Sequence, residues 1–166
     1  MTLWQASSAS ARPRYTDLMI RRVMHLYWRF SRGLTLGVRG MAIDADGRIF
    51  LIKHSYVAGW HLPGGGVEPR ESMREAPDRE LMEEGNIEIL QAPRLFGVYH
   101  NRTVSGRDHV ALYVIDAFTQ SMPPQPNAEI IAHGFFARDA LPIDTTAGTR
   151  ARIAEVLDGI KPTELW

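Results

Sequence analysis

Between residues 71 and 84 the chain carries Glu71, Arg79, Glu80, Glu83 and Glu84, with Gly64, Gly65 and Gly66 just ahead of them. Glu80, Glu83 and Glu84 recur at the spacing that places side chains on one side of a helix. Carboxylates that close repel one another unless a cation joins them. Hard oxygen ligands suit Mg²⁺ or Mn²⁺, ions that usually meet phosphate oxygens as well. At about 100° per residue, Glu80 and Glu84 share a stripe with Met73, Ala76 and Pro77, whereas Arg74, Glu75, Asp78 and Met82 lie opposite. Acids on a face turned toward the body of a protein are costly unless they are paired or metal-bound. Spacing alone equally allows a solvated charged helix, in which Glu75–Arg79 and Arg79–Glu83 pairs contribute ~0.2–0.5 kcal/mol each.

Residues 65–87 resemble the Nudix box, G-x5-E-x7-R-E-U-x-E-E-x-G-U with U aliphatic. Gly65, Glu71, Arg79, Glu80, Leu81, Glu83, Glu84 and Ile87 match it position by position. The last glycine of the box is Asn86 here, a residue that tolerates positive φ and can still end a helix. The resemblance implies an α/β/α sandwich with a mixed central sheet. It also implies divalent-metal-dependent hydrolysis of a pyrophosphate linkage, in a nucleoside diphosphate linked to another moiety or a related nucleotide. Mg²⁺ or Mn²⁺ would be held by Glu80, Glu83 and Glu84, with Glu129 as a further ligand, because acids before an aromatic pair recur there in similar chains. The competing reading of Glu129 is a surface acid after a Pro-rich loop. Glu80, Glu83, Arg79 and Glu71 are the expected catalytic set, Arg79 orienting an acid through its planar fork and Glu71 serving as its partner or as an outer-shell base. Gly64 and Gly65 let the backbone approach the ligand. His61 lies beside the expected phosphate site, Arg102 is within reach of a base or sugar, and Trp60 and Tyr99 are candidates to stack on a base, although buried aromatics usually fill cores.

Pro77 interrupts the helix pattern. A helix starting near Ser72 places Pro77 inside it, at a cost of ~3 kcal/mol. A start near Ala76 makes Pro77 a comfortable first-turn residue. Ser72 with Glu75 three residues on forms a capping box, which favours the interior position.

The elements that must position these residues are legible as patterns. Residues 38–43 and 48–54 read as two strands joined by an Asp46-Gly47 hairpin turn. A short strand is expected at 87–90, and a hairpin pair at 94–100 and 109–118 turns through Ser105-Gly106. Residues 149–157 read as a helix that Gly159 stops. Strands interleaved with helices fit an α/β sandwich.

At 166 residues the chain is long enough for one domain with a proper core. The absence of cysteine excludes disulfides, thiolate metal sites and cysteine nucleophiles. No apolar run approaches the ~18 residues that span a membrane, and the first residues lack a secretory layout, so a cytoplasmic location is expected. Residues 1–14 are Ser/Ala-rich and read as a poorly ordered arm. Residues 15–36 read as a basic amphipathic accessory helix, and 37–166 as the hydrolase domain. Arg12, Arg14, Arg21, Arg22, Arg29, Arg32 and Arg39 face Asp17 alone in the first forty residues. Three roles compete for this segment: packing on the domain or on a second copy in a homodimer, contact with RNA or an anionic membrane, and organelle targeting. The second role carries the alternative function, a binding protein on a Nudix-like scaffold with little catalysis. An intact set of acids argues against it.

Overall fold

The computed structural model describes residues 33–166 together with Met24 and Tyr27. The proposed arm 1–14 and most of the helix 15–36 therefore lie outside the described residues. Met24 and Tyr27 are helical, but Thr35 and Leu36 already belong to the first strand, so the accessory helix does not extend to residue 36. Residues 34–166 form one compact unit.

The element order is β1 (Thr35–Ala42), β2 (Ile49–His54), β3 (Trp60–His61), α1 (Ala76–Gly85), β4 (Glu88–Ile89), β5 (Arg94–His100), β6 (Asp108–Ile115), β7 (Phe118–Thr119), β8 (Ile130–Phe136) and α2 (Ala147–Leu157). A 3₁₀ turn covers Arg138–Ala140. The mixed sheet has the order β1-β6-β5, with β1 parallel to β6 and β5 antiparallel to it. A second, antiparallel sheet has the order β3-β2-β8, and β4 pairs with β7. The expected hairpin at Asp46-Gly47 is a true turn, but only Ile43 and Ile49 bridge across it. Beyond that pair β1 and β2 part into different sheets. Residues 130–136 form a strand that the sequence pattern did not signal, because Ala132, His133 and Gly134 interrupt its apolar run.

Alternation along the strands builds two cores. Side chains of successive strand residues point to opposite faces. In β2, Phe50 and Ile52 join one core while Ile49 and Leu51 join the other; in β6, Ala111, Tyr113 and Ile115 are split from Leu112 in the same way. Ala76 and Leu81 of α1 complete the first core, and Ile153 and Val156 of α2 the second. Helices thus cover both faces of the strand layer, the α/β/α sandwich expected from the sequence. None of the described helices is long and apolar enough to cross a membrane.

Candidate active site

The site begins at the glycine turn. Gly64 is buried at φ +140°, and a Cβ there would sit 2.1 Å from the Val38 carbonyl oxygen. At Gly65 a Cβ would come within 2.5 Å of a Glu80 carboxylate oxygen. The turn is fastened to β1 by main-chain bonds: the N–H of Val38 donates to Gly65 O at 2.8 Å, that of Gly40 to Pro63 O at 2.9 Å, and that of Val67 to Leu36 O at 2.9 Å. From below, the Arg39 guanidinium donates to the Leu62 and Gly64 carbonyls.

Helix α1 then starts later than the capping box favours. The box itself forms: Glu75 Oε2 accepts from the Ser72 N–H at 2.9 Å and from its hydroxyl at 2.8 Å. It closes a turn ahead of the helix. The helix proper runs from Ala76 with Pro77 in its first turn, where the missing N–H has no partner to lose. The interior position for Pro77 is therefore corrected. At the other end Asn86 adopts φ 51°, ψ 37°, and its N–H reaches Met82 O at 3.0 Å. Asparagine does the work of the missing glycine.

Arg79 is the hub of one half of the site. Its Nε and Nη2 hold the two Glu71 oxygens at 2.9 and 3.0 Å, Nη2 also donates to Gly66 O at 2.9 Å, and Nη1 donates to Glu80 Oε1 at 2.7 Å. Glu83, 61% exposed, touches Nη1 only at 3.4 Å. The Arg79 fork depresses the Glu71 pKa and lifts its own. Glu80 is 7% exposed, and burial raises its pKa against the pull of Arg79.

Glu84 anchors the other half. It is 8% exposed, and the Gly64 N–H donates to its Oε2 at 2.6 Å. Burial pushes its pKa up to about 7, against the opposing effects of that bond and of Arg39. His54 stands with Nε2 3.6 Å from Glu84 Oε1. It is aimed there by a register shift between Lys53 and His54 in the β2–β8 pairing. Glu129, just before β8, accepts from the Tyr56 hydroxyl at 2.9 Å. One ligand atom from each of His54, Glu84 and Glu129 lies within 4.8 Å of the others. The donor chemistry fits a divalent cation, whose charge would offset the cost of a buried carboxylate.

Of the expected metal set, the structure brings Glu84 and Glu129 together and turns Glu80 and Glu83 toward Arg79. Gly64 and Gly65 line the turn as expected. His61 is close by, its ring centroid 6.0 Å from that of His54 and its Nε2 3.0 Å from Ala58 O. Trp60 is half-buried, edge-on to Phe136 in the second core. Arg102 stands exposed in the β5–β6 turn, beside a hollow lined by His100, Thr103, Leu165 and Trp166. Tyr99 is a correction: it is 1% exposed, its hydroxyl donates to Glu155 at 2.8 Å, and the Arg152 guanidinium covers its ring at 4.0 Å. No ring face is left for a base. Arg39, His54 and Tyr56 escaped the sequence reading. A lone arginine between Val38 and Met41 in an apolar strand was the available signal for the first.

The chain that carries this glycine turn and acidic helix has known relatives. The NUDIX domain model matches residues 33–157, and the chain belongs to that family. A MutT-like protein of Streptomyces ambofaciens is 29% identical over 128 residues, covering 77% of this chain and 80% of the relative. The CTP pyrophosphohydrolase of Escherichia coli strain K12 is 45% identical over 69 residues, which are 39% of this chain and 50% of that one. This chain thus spans only half the length of some curated relatives that it matches. The crystal structure of the MutT NUDIX hydrolase from Burkholderia pseudomallei superposes with a TM-score of 0.63 at 30% identity, covering 75% of this chain and 98% of that one.

Proposed function

We propose that this chain hydrolyses a pyrophosphate linkage in a small nucleotide, either a nucleoside triphosphate or a nucleoside diphosphate linked to another moiety, with Mg²⁺ or Mn²⁺ bound. The observation that carries this reading is the meeting of Glu84 and Glu129 with His54 at the mouth of the glycine turn, one helical turn from the Arg79 clamp. A bound divalent ion there supplies phosphate charge neutralisation and a more acidic water. The residues do the rest. Gly64 fixes Glu84 through its N–H, and Arg79 holds Glu71 and Glu80 in place. Either Glu80, made more basic by burial, or Glu83, exposed and loosely tied, would take the proton of the attacking water. The exposed Gly66, with open space where a Cβ would stand, would leave room for phosphate oxygens.

The test is a panel of CTP, dGTP and ADP-ribose, each with Mg²⁺, with Mn²⁺ and with chelator, scored by product identity. Metal-dependent release of a mononucleotide with pyrophosphate or a sugar phosphate is expected. Binding of these nucleotides without turnover under any metal would overturn the proposal.

A further inference from the structure

We propose that His54 is a nitrogen ligand of the divalent ion, so that the site presents one imidazole with two carboxylates and favours Mn²⁺ and Co²⁺ over Mg²⁺. This rests on the reading of Glu84 and Glu129 as metal ligands and adds a residue that lies outside the box. Three observations meet at His54. Its side chain is 6% exposed, and Nδ1, on the far side of the ring from Glu84, has no hydrogen-bond partner among the described residues, so no protein acceptor fixes the ring in another role. Nε2 faces Glu84 Oε1 at 3.6 Å, too far for a hydrogen bond and a natural separation for two ligands of one ion. The β2–β8 register shift falls between Lys53 and His54, and such irregularities re-aim a side chain. Tyr56 flanks the imidazole with ring centroids 5.0 Å apart, and its hydroxyl holds Glu129 at 2.9 Å. Both non-helical ligands are thus positioned by one aromatic neighbour.

The chemistry of the donor set decides which ions gain. Carboxylate oxygens suit Mg²⁺ and Mn²⁺ alike, whereas imidazole suits transition ions and adds little for Mg²⁺, which keeps its waters. Replacing the imidazole should therefore penalise metals in the order Co²⁺, Mn²⁺, Mg²⁺.

The experiment uses the full chain freed of metal and titrated by calorimetry with Mn²⁺, Co²⁺ and Mg²⁺, for the native protein, His54→Phe and Glu129→Gln. Phenylalanine keeps a ring beside Tyr56 and removes both nitrogens. His54→Phe should lose ~10-fold or more in Mn²⁺ and Co²⁺ affinity, with Mg²⁺ affinity changed by less than ~3-fold. Pulsed EPR of bound Mn²⁺ should show a nitrogen-14 coupling in the native protein that is lost in His54→Phe. Should that variant not fold, as judged by its melting curve, His54→Gln takes its place with the same expectation. Unchanged Mn²⁺ and Co²⁺ affinity, or an equal loss for all three ions, overturns the proposal. Glu129→Gln separates the two readings. It should weaken all three ions, and if it weakens none, the carboxylate site itself is wrong. Absence of pyrophosphate cleavage with metal binding intact would count against the proposed reaction and leave His54 as a ligand.

Discussion

Glu84 is where burial, charge and chemistry meet, and its behaviour can be worked out with sign. Burial holds its pKa at about 7 against an ordinary 4.5. Between those values the metal-free folded protein keeps a proton that the unfolded chain has given up, so stability falls as pH rises through this window and levels off above it. Between about pH 5 and about pH 8 the melting temperature of the chelator-treated protein should fall more, or rise less, in the native chain than in Glu84→Gln, which cannot ionise, because the lowered pKa values of His54 and His61 and the raised one of Glu80 act in both proteins. If Glu84 holds the divalent ion as proposed, the same variant should lower turnover by ~10²-fold, because it removes one of the ligand charges. An equal pH response in the native protein and Glu84→Gln would contradict the first expectation, and near-normal turnover in Glu84→Gln the second. The box acids were legible from spacing, because a helix turns sequence interval directly into position. His54 and Tyr56 were not, since only the pairing of β2 with β8 brings them to Glu129, seventy-odd residues away. Tyr99 was misjudged because an aromatic in a strand belongs to whichever face the sheet gives it.

The loop leading into α1 carries the clearest test among the elements. With Pro77 in the first turn, Pro77→Ala removes a pre-set φ and restores no bond. The variant should be neutral or destabilised by up to ~1 kcal/mol. A marked rise in melting temperature would return Pro77 to the helix interior. The capping box was read correctly from Ser72 and Glu75, but it could not say that the chain pauses in a turn before the helix continues. Helix ends are set by which carbonyls find donors, and those lie partly in other elements. The strands of the mixed sheet were legible from their apolar runs. The division of the strands among three sheets was not, because the tight turn at Asp44–Arg48 looks like that of a fully paired hairpin.

Across the whole molecule, the second core closes around a buried ion pair. Arg152 donates to Glu155 at 2.6 Å, to the Thr163 hydroxyl at 3.0 Å and to Leu165 O at 2.8 Å, while Glu155 also accepts from Tyr99 and from the Thr163 N–H. Arg152→Met would leave that carboxylate buried without its cation, at a cost of ~3–5 kcal/mol. In a chain of this size this lowers the melting temperature by ~6 °C or more, at ~2–4 °C per kcal/mol. A shift within ~1 °C would mean the pair is replaceable by packing. Nothing in the spacing of Arg152 and Glu155 distinguished this pair from a surface one; burial alone sets its worth. The main-chain ladder that fastens the glycine turn to β1 has a different kind of consequence. It occupies the outer edge of the mixed sheet, and it fixes the turn with atoms that most substitutions leave untouched. An exchange at the neighbouring His61 in β3 would therefore leave this main-chain frame, and Glu84 bonded to it, in place. A fold built this way can vary the side chains around its candidate site while the frame of that site stays still.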